Sequence, residues 1–191
     1  MKILPLAYLG SLEWWRAALS EEAVIDVGEH FVKQSARSRC EIATASGRMT
    51  LSANVVKASS IHKRAVKDMR LDYSKRWQHQ HAVAIRSAYK SSPYYDYYAH
   101  LLEPLFERRY EFLYDMNRDL VEAVRKIGGI KQELRFSEEY IVASAEDIDL
   151  RGHNFLGPRE GEEPYWQVFS ERVPFESNCS IIDYIFNEGK L

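Results

Sequence analysis

The spacing of apolar and polar positions changes several times along the chain, and each change marks an element. Residues 3–9, ILPLAYL, form a short apolar run that ends at Gly10 and reads as a buried strand. Ser11 can cap a short helix over 12–19, with Glu13 in its first turn, where the helix dipole favours a carboxylate. Ala23–Val27 reads as a second strand, so the chain opens as strand, helix, strand, the beginning of an α/β unit. Phe31 to Val56 has the look of a hairpin: Arg39–Thr44 alternates, Ala45-Ser46-Gly47 is turn chemistry, and Arg48–Val56 returns. Residues 57–66, KASSIHKRAV, are polar and basic and read as a loop, and Val66–Leu71 is a short strand candidate.

The period then becomes helical. A helix is expected over about 75–90 with Ser74 as its cap, broken at Ser91-Ser92-Pro93 because proline does not continue the preceding turn. A second helix is expected over about 94–106 and a third over about 109–126, closed by Gly128-Gly129. A strand at Lys131–Phe136, a charged loop over 144–164 and a strand over about 165–170 follow. The last element is a helix over Ser180–Asn187, N-capped by Ser180 or Asn178, with Gly189 after it. Strands, then helices, then strands predict an α/β (α+β-like) fold: a mixed β-sheet with a central helical block (about 75–126) and a C-terminal helix. At 191 residues, one domain over 1–191 is expected.

Composition narrows the function classes. Lys plus Arg is 26 against 28 for Asp plus Glu, so no global basic field exists to hold a nucleic-acid backbone or an anionic membrane. The first residues carry Pro5, Gly10, Ser11, Glu13 and Arg16, which fits neither a secretory signal nor a membrane span, and a cytoplasmic protein is expected. Cys40 and Cys179 have no metal-ligand spacing and read as free thiols. No metal and no cofactor are expected, and no Walker loop, GxGxxG, GxSxG or HExxH pattern occurs. Twelve tyrosines suit a binding surface as well as a core.

Four constellations carry potential chemistry. Trp77 and His81 share one helix face continued by Ala84, Ile85 and Ala88, while His79 points the other way, so the two histidines make a poor metal pair. On spacing alone, His81 reads as a satisfied histidine at a core edge. Lys33, Arg37 and Arg39 can grip a phosphate or carboxylate if Arg37 and Arg39 share a strand face; the plainer reading is a solvated edge strand. Tyr94, Tyr97 and Tyr98 follow helical spacing and read as core packing, with a stacking wall as the alternative. Cys179 sits at a helix start, where a lowered thiol pKa is conceivable, but a buried apolar thiol is the plainer reading.

The same segments, in this order, resemble the WbqC-like protein family over nearly the whole chain. LPLAYLGSLEWW, with Tyr8, is similar to the family's first strand and turn, and FVKQSARSRC to its basic strand. RLDYSKRWQHQHAVAIRSAYKSSPYYDYY is similar to its longest signature, and YWQVFSERVPFESNCSIIDYIFNEG to its ending. Ser38 stands where the family usually has Asn, and Glu176-Ser177-Asn178-Cys179-Ser180 where Pro-Asn-Leu-Ser is common. The resemblance maps family motifs onto Lys33, Arg39, Trp77, His81, Tyr89, Asn178 and Asp183. It implies a context in bacterial surface-polysaccharide (O-antigen-type) biosynthesis. A group transferase is then expected, acting on a small-molecule or sugar-linked substrate, with or without self-association. His81 would be its general base, Lys33 and Arg39 would hold an anionic donor, and Asp183 or Asn178 would orient His81 or the acceptor. The alternatives are a non-catalytic glycan or nucleotide-sugar binding module and a structural partner protein.

Overall fold

The first apolar run supplies the central strand. In this computed structural model, which describes residues 1–57 and 63–191, β1 (Lys2–Pro5) pairs in parallel with β2 (Ala23–Asp26) on one side. On the other side it pairs in parallel with the two-residue β5 (Ile148–Asp149). Ile3 and Leu4, on opposite faces, are both fully buried, as a strand covered on both sides requires. α1 (Leu12–Ala18) makes the crossover, and the Ser11 hydroxyl accepts the Trp14 N–H as its cap. Trp14 and Trp15 meet edge to face beneath the sheet, and the Trp14 indole donates to the Pro5 carbonyl at 2.9 Å.

A second, antiparallel unit is the hairpin of β3 (Arg39–Thr44) and β4 (Gly47–Ser52), with Arg39 opposite Ser52 and Thr44 opposite Gly47. Gly47 takes φ 90 at the turn, a conformation that side-chain-bearing residues rarely adopt. Parallel and antiparallel pairings thus both occur within the α/β class that the strand–helix order predicts. The helical block is α2 (Trp77–Tyr89), α3 (Tyr95–Glu107) and α4 (Leu113–Gly128), and α5 (Ile181–Glu188) closes the chain. α2 packs on α3, α5 and the hairpin, and α4 ends where Gly129 turns left-handed at φ 66.

Several boundaries differ from the sequence expectation, each for a local reason. Residues 31–38 are a loop, not a hairpin arm, because their backbone bonds elsewhere: the Tyr8 N–H donates to the Ala36 carbonyl, and Arg39 N–H to Ser35. Val66–Asp68 forms a 3-10 turn, and only the bridges Val55 with Leu71 and Arg70 with Phe112 are strand-like there. Lys131–Phe136 is reduced to one bridge between Phe136 and Ile25. The strand expected over 165–170 is absent, because the Gln167 side chain bonds both the N–H and the carbonyl of Glu176 and replaces a strand partner. Ser74 does not cap α2; its N–H goes to the Asp72 carboxylate, and Arg76 holds the cap position without a side-chain bond. Tyr97 is 69% exposed and Tyr94 borders solvent, because the core face of α3 runs through Tyr95, Ala99, Leu102 and Phe106, one position out of phase. Part of the loop expected over 57–66 lies outside the described residues.

Candidate anion-binding cleft

The 31–38 loop, the end of β4 and the approach to α2 enclose a cleft of about 540 Å³. Backbone bonds fix its walls. Ala53 N–H donates to the Ser38 carbonyl, Val56 N–H to Arg70, and Asp72 N–H to Asn54, so the 53–56 segment is held on both edges. Lys33, Arg39, Lys57 and Lys75 line the cleft, and among the described residues none of the four is ion-paired. The single lining carboxylate is Asp72, held below its usual range mainly by accepting the Ser74 N–H. Phe31, Val55 and Val56 add an apolar wall. Gln34, also on the lining, takes φ 58 beside Lys33, in the left-handed region.

Behind the β4 wall lies a buried aromatic-imidazole pair. The Tyr8 hydroxyl stands 2.7 Å from Nδ1 of His81, and both side chains are buried, His81 at 5% exposed. Burial holds the imidazole down to about 4, and the Ser52 backbone pulls back the other way. Burial likewise raises the Tyr8 phenol well above its usual range, so the O–H stays protonated. Trp77 stacks edge-on against His81 at 5.2 Å and donates its indole N–H to the Asp72 carbonyl at 2.8 Å. Trp77 and His81 thus connect the cleft-lining Asp72 to Tyr8 in the β1–α1 turn. His79, on the opposite face, is exposed.

The remaining expected site residues fall elsewhere. Arg37 leaves Arg39: it is 3% exposed and gives both Nε and Nη2 to the Glu29 carboxylate, with further bonds to Ser35 and the Arg151 carbonyl. Asp183 is not beside His81. It accepts from Tyr89 at 2.8 Å, Tyr165 at 2.6 Å and Gln167 at 2.8 Å, and burial raises its pKa against those bonds. Asn178, at φ 51, accepts the Glu13 N–H in the first turn of α1 and donates to the carbonyls of Phe155 and Gly157. Cys179 and Cys40 are both buried, which drives both thiols upward and away from reactivity. Sequence reasoning missed Lys57 and Lys75, which carry no periodic signal, and Tyr165 and Gln167, the partners of Asp183. Among the described residues there is no cluster of three metal-ligating side chains. No described helix is long and apolar enough to cross a membrane.

A model of the WbqC-like protein family matches residues 16–156. Lys33, Arg37, Arg39, Trp77, His81 and Tyr89 lie inside that match, and Tyr8, Asn178 and Asp183 outside it. No curated protein and no solved structure matches the chain significantly.

Proposed function

The chain belongs to the WbqC-like protein family, and from that premise we propose that it serves surface-polysaccharide (O-antigen-type) biosynthesis as a group transferase whose anionic donor sits between Lys33 and Arg39. The observation that carries this reading is a held cleft lined by four cations against the single carboxylate of Asp72. Two arginines of the scaffold, by contrast, are neutralised internally, Arg37 by Glu29 and Arg151 by Asp26. Cations left unpaired on a fixed wall suit a ligand that brings its own negative charge.

In this reading His81 is the general base. Its ring is already in the unprotonated form at neutral pH. Its Nδ1 is held by the Tyr8 hydroxyl, so an acceptor hydroxyl reaching that nitrogen would have to take the place of Tyr8. Lys33 and Arg39 would meanwhile fix the donor, and Trp77 and Asp72 would hold the ring in register. The same fact favours a second reading, a non-catalytic nucleotide-sugar binding module, because an imidazole held near 4 is a weak base.

A thermal-shift screen against nucleotide sugars, acyl-carrier thioesters and amino acids identifies the ligand, and incubation with the hit and candidate acceptors then separates the readings. A transferase loses product formation in His81→Gln and keeps ligand binding. Binding with no product in the wild type supports the module, and no stabilising ligand at all removes both.

A further inference from the structure

We propose that the cleft takes a diphosphate, as in a nucleoside diphosphate or its sugar ester, with Lys33 and Arg39 on one phosphate and Lys57 and Lys75 on the other. This rests on the anion-cleft reading above and goes further by naming the ligand class.

Four cations and one carboxylate line the cleft, a formal excess of three positive charges. A carboxylate or a phosphate diester carries one negative charge and leaves most of that excess unanswered. A diphosphate ester carries two and a nucleoside diphosphate about three near neutrality, which matches it. Asp72 does not neutralise the wall by itself: its one negative charge, on which Lys57 and Lys75 both act, faces four cations.

The four cations come from different parts of the chain. Lys33 lies in the 31–38 loop and Arg39 directly follows it, while Lys57 and Lys75 each lie three residues beyond one of two hydrogen-bonded partners, Asn54 and Asp72. Four cations drawn from different segments onto one held surface suit two linked phosphates better than a single tetrahedral anion. A cleft of about 540 Å³ far exceeds one phosphate, and the apolar wall of Phe31, Val55 and Val56 gives a base or sugar a place to lie.

Isothermal titration with inorganic phosphate, inorganic pyrophosphate and uridine diphosphate at low ionic strength tests this. The wild type is expected to bind pyrophosphate at least tenfold tighter than phosphate, and uridine diphosphate at least as tightly as pyrophosphate. Lys57→Ala with Lys75→Ala, two exposed positions, should abolish the preference and leave phosphate binding within threefold. Lys33→Ala with Arg39→Ala should weaken all three ligands. Circular dichroism confirms that both double variants fold. Equal affinity for phosphate and pyrophosphate, or a preference that survives loss of Lys57 and Lys75, overturns the diphosphate assignment. The anion cleft itself stands in that case if loss of Lys33 and Arg39 still weakens phosphate. Failure of the wild type to bind any of the three removes both readings.

Discussion

The Tyr8 hydroxyl lies in hydrogen-bond contact with Nδ1 of His81 at 2.7 Å across 73 residues of sequence, tying the β1–α1 turn to α2. Both partners are buried and neutral at pH 7, so the pair is a polar contact inside an apolar core. Replacing Tyr8 with Phe leaves Nδ1 unpaired and should cost about 1–3 kcal/mol in chemical denaturation. A cost near zero would mean that water or another donor reaches the ring.

The pH dependence of His81 has a defined sign. The unfolded imidazole takes its proton near 6.5, and the folded one resists until about 4. Between those values the unfolded state binds more protons, so the contribution of neutral His81 is complete above about 6.5 and lost as pH falls towards 4. Comparing wild type with His81→Gln cancels other titrations. The stability advantage of the wild type should shrink by about 3 kcal/mol between pH 7 and pH 4. A constant difference over that range would contradict a depressed imidazole.

Arg37 and Arg39, two positions apart, should behave in opposite ways. Arg37→Ala strands the buried Glu29 carboxylate and should destabilise by about 3–5 kcal/mol. Arg39→Ala, on the cleft wall, should change stability by less than about 0.5 kcal/mol while weakening ligand. Equal destabilisation by the two would place Arg39 in the scaffold.

Asp183 is the acceptor at the centre of a three-donor knot of Tyr89, Tyr165 and Gln167. Asp183→Ala orphans all three donors and should cost about 3–5 kcal/mol. Asp183→Asn can turn its amide towards Tyr89, whose hydroxyl also accepts, and keep its oxygen for the other two, so it should cost less than half as much. If the two variants unfold at the same denaturant concentration, the charge rather than the bonding pattern holds this region.

Much of this fold was legible from spacing. The Trp77, His81, Ile85 and Ala88 stripe correctly marked the buried face of α2, and the Ser11 cap and Gly129 stop stand where propensity puts them. The misread strands share one cause: side chains and loops satisfied backbone groups that a periodic pattern would assign to strands. Gln167 standing in for a strand partner at 165–170 leaves no signal in alternation, nor do the bonds of the 31–38 loop. The site was half legible. Lys33 and Arg39 were visible as a basic cluster, and the resemblance drew attention to His81. The separation of Arg37 from Arg39 depends on Glu29, and the grouping of Lys57 and Lys75 depends on pairing between the 54–56 and 70–72 segments, neither of which periodicity encodes.

The central claim is that the Lys33 and Arg39 cleft holds an anionic donor. Titration of a nucleotide sugar such as uridine diphosphate glucose into wild type and Arg39→Ala tests it most directly. Saturable binding by the wild type and at least tenfold weaker binding by the variant are expected, with the two unfolding at nearly the same temperature when no ligand is present. Equal affinity in a folded Arg39→Ala variant, or no saturable binding by the wild type, would contradict it.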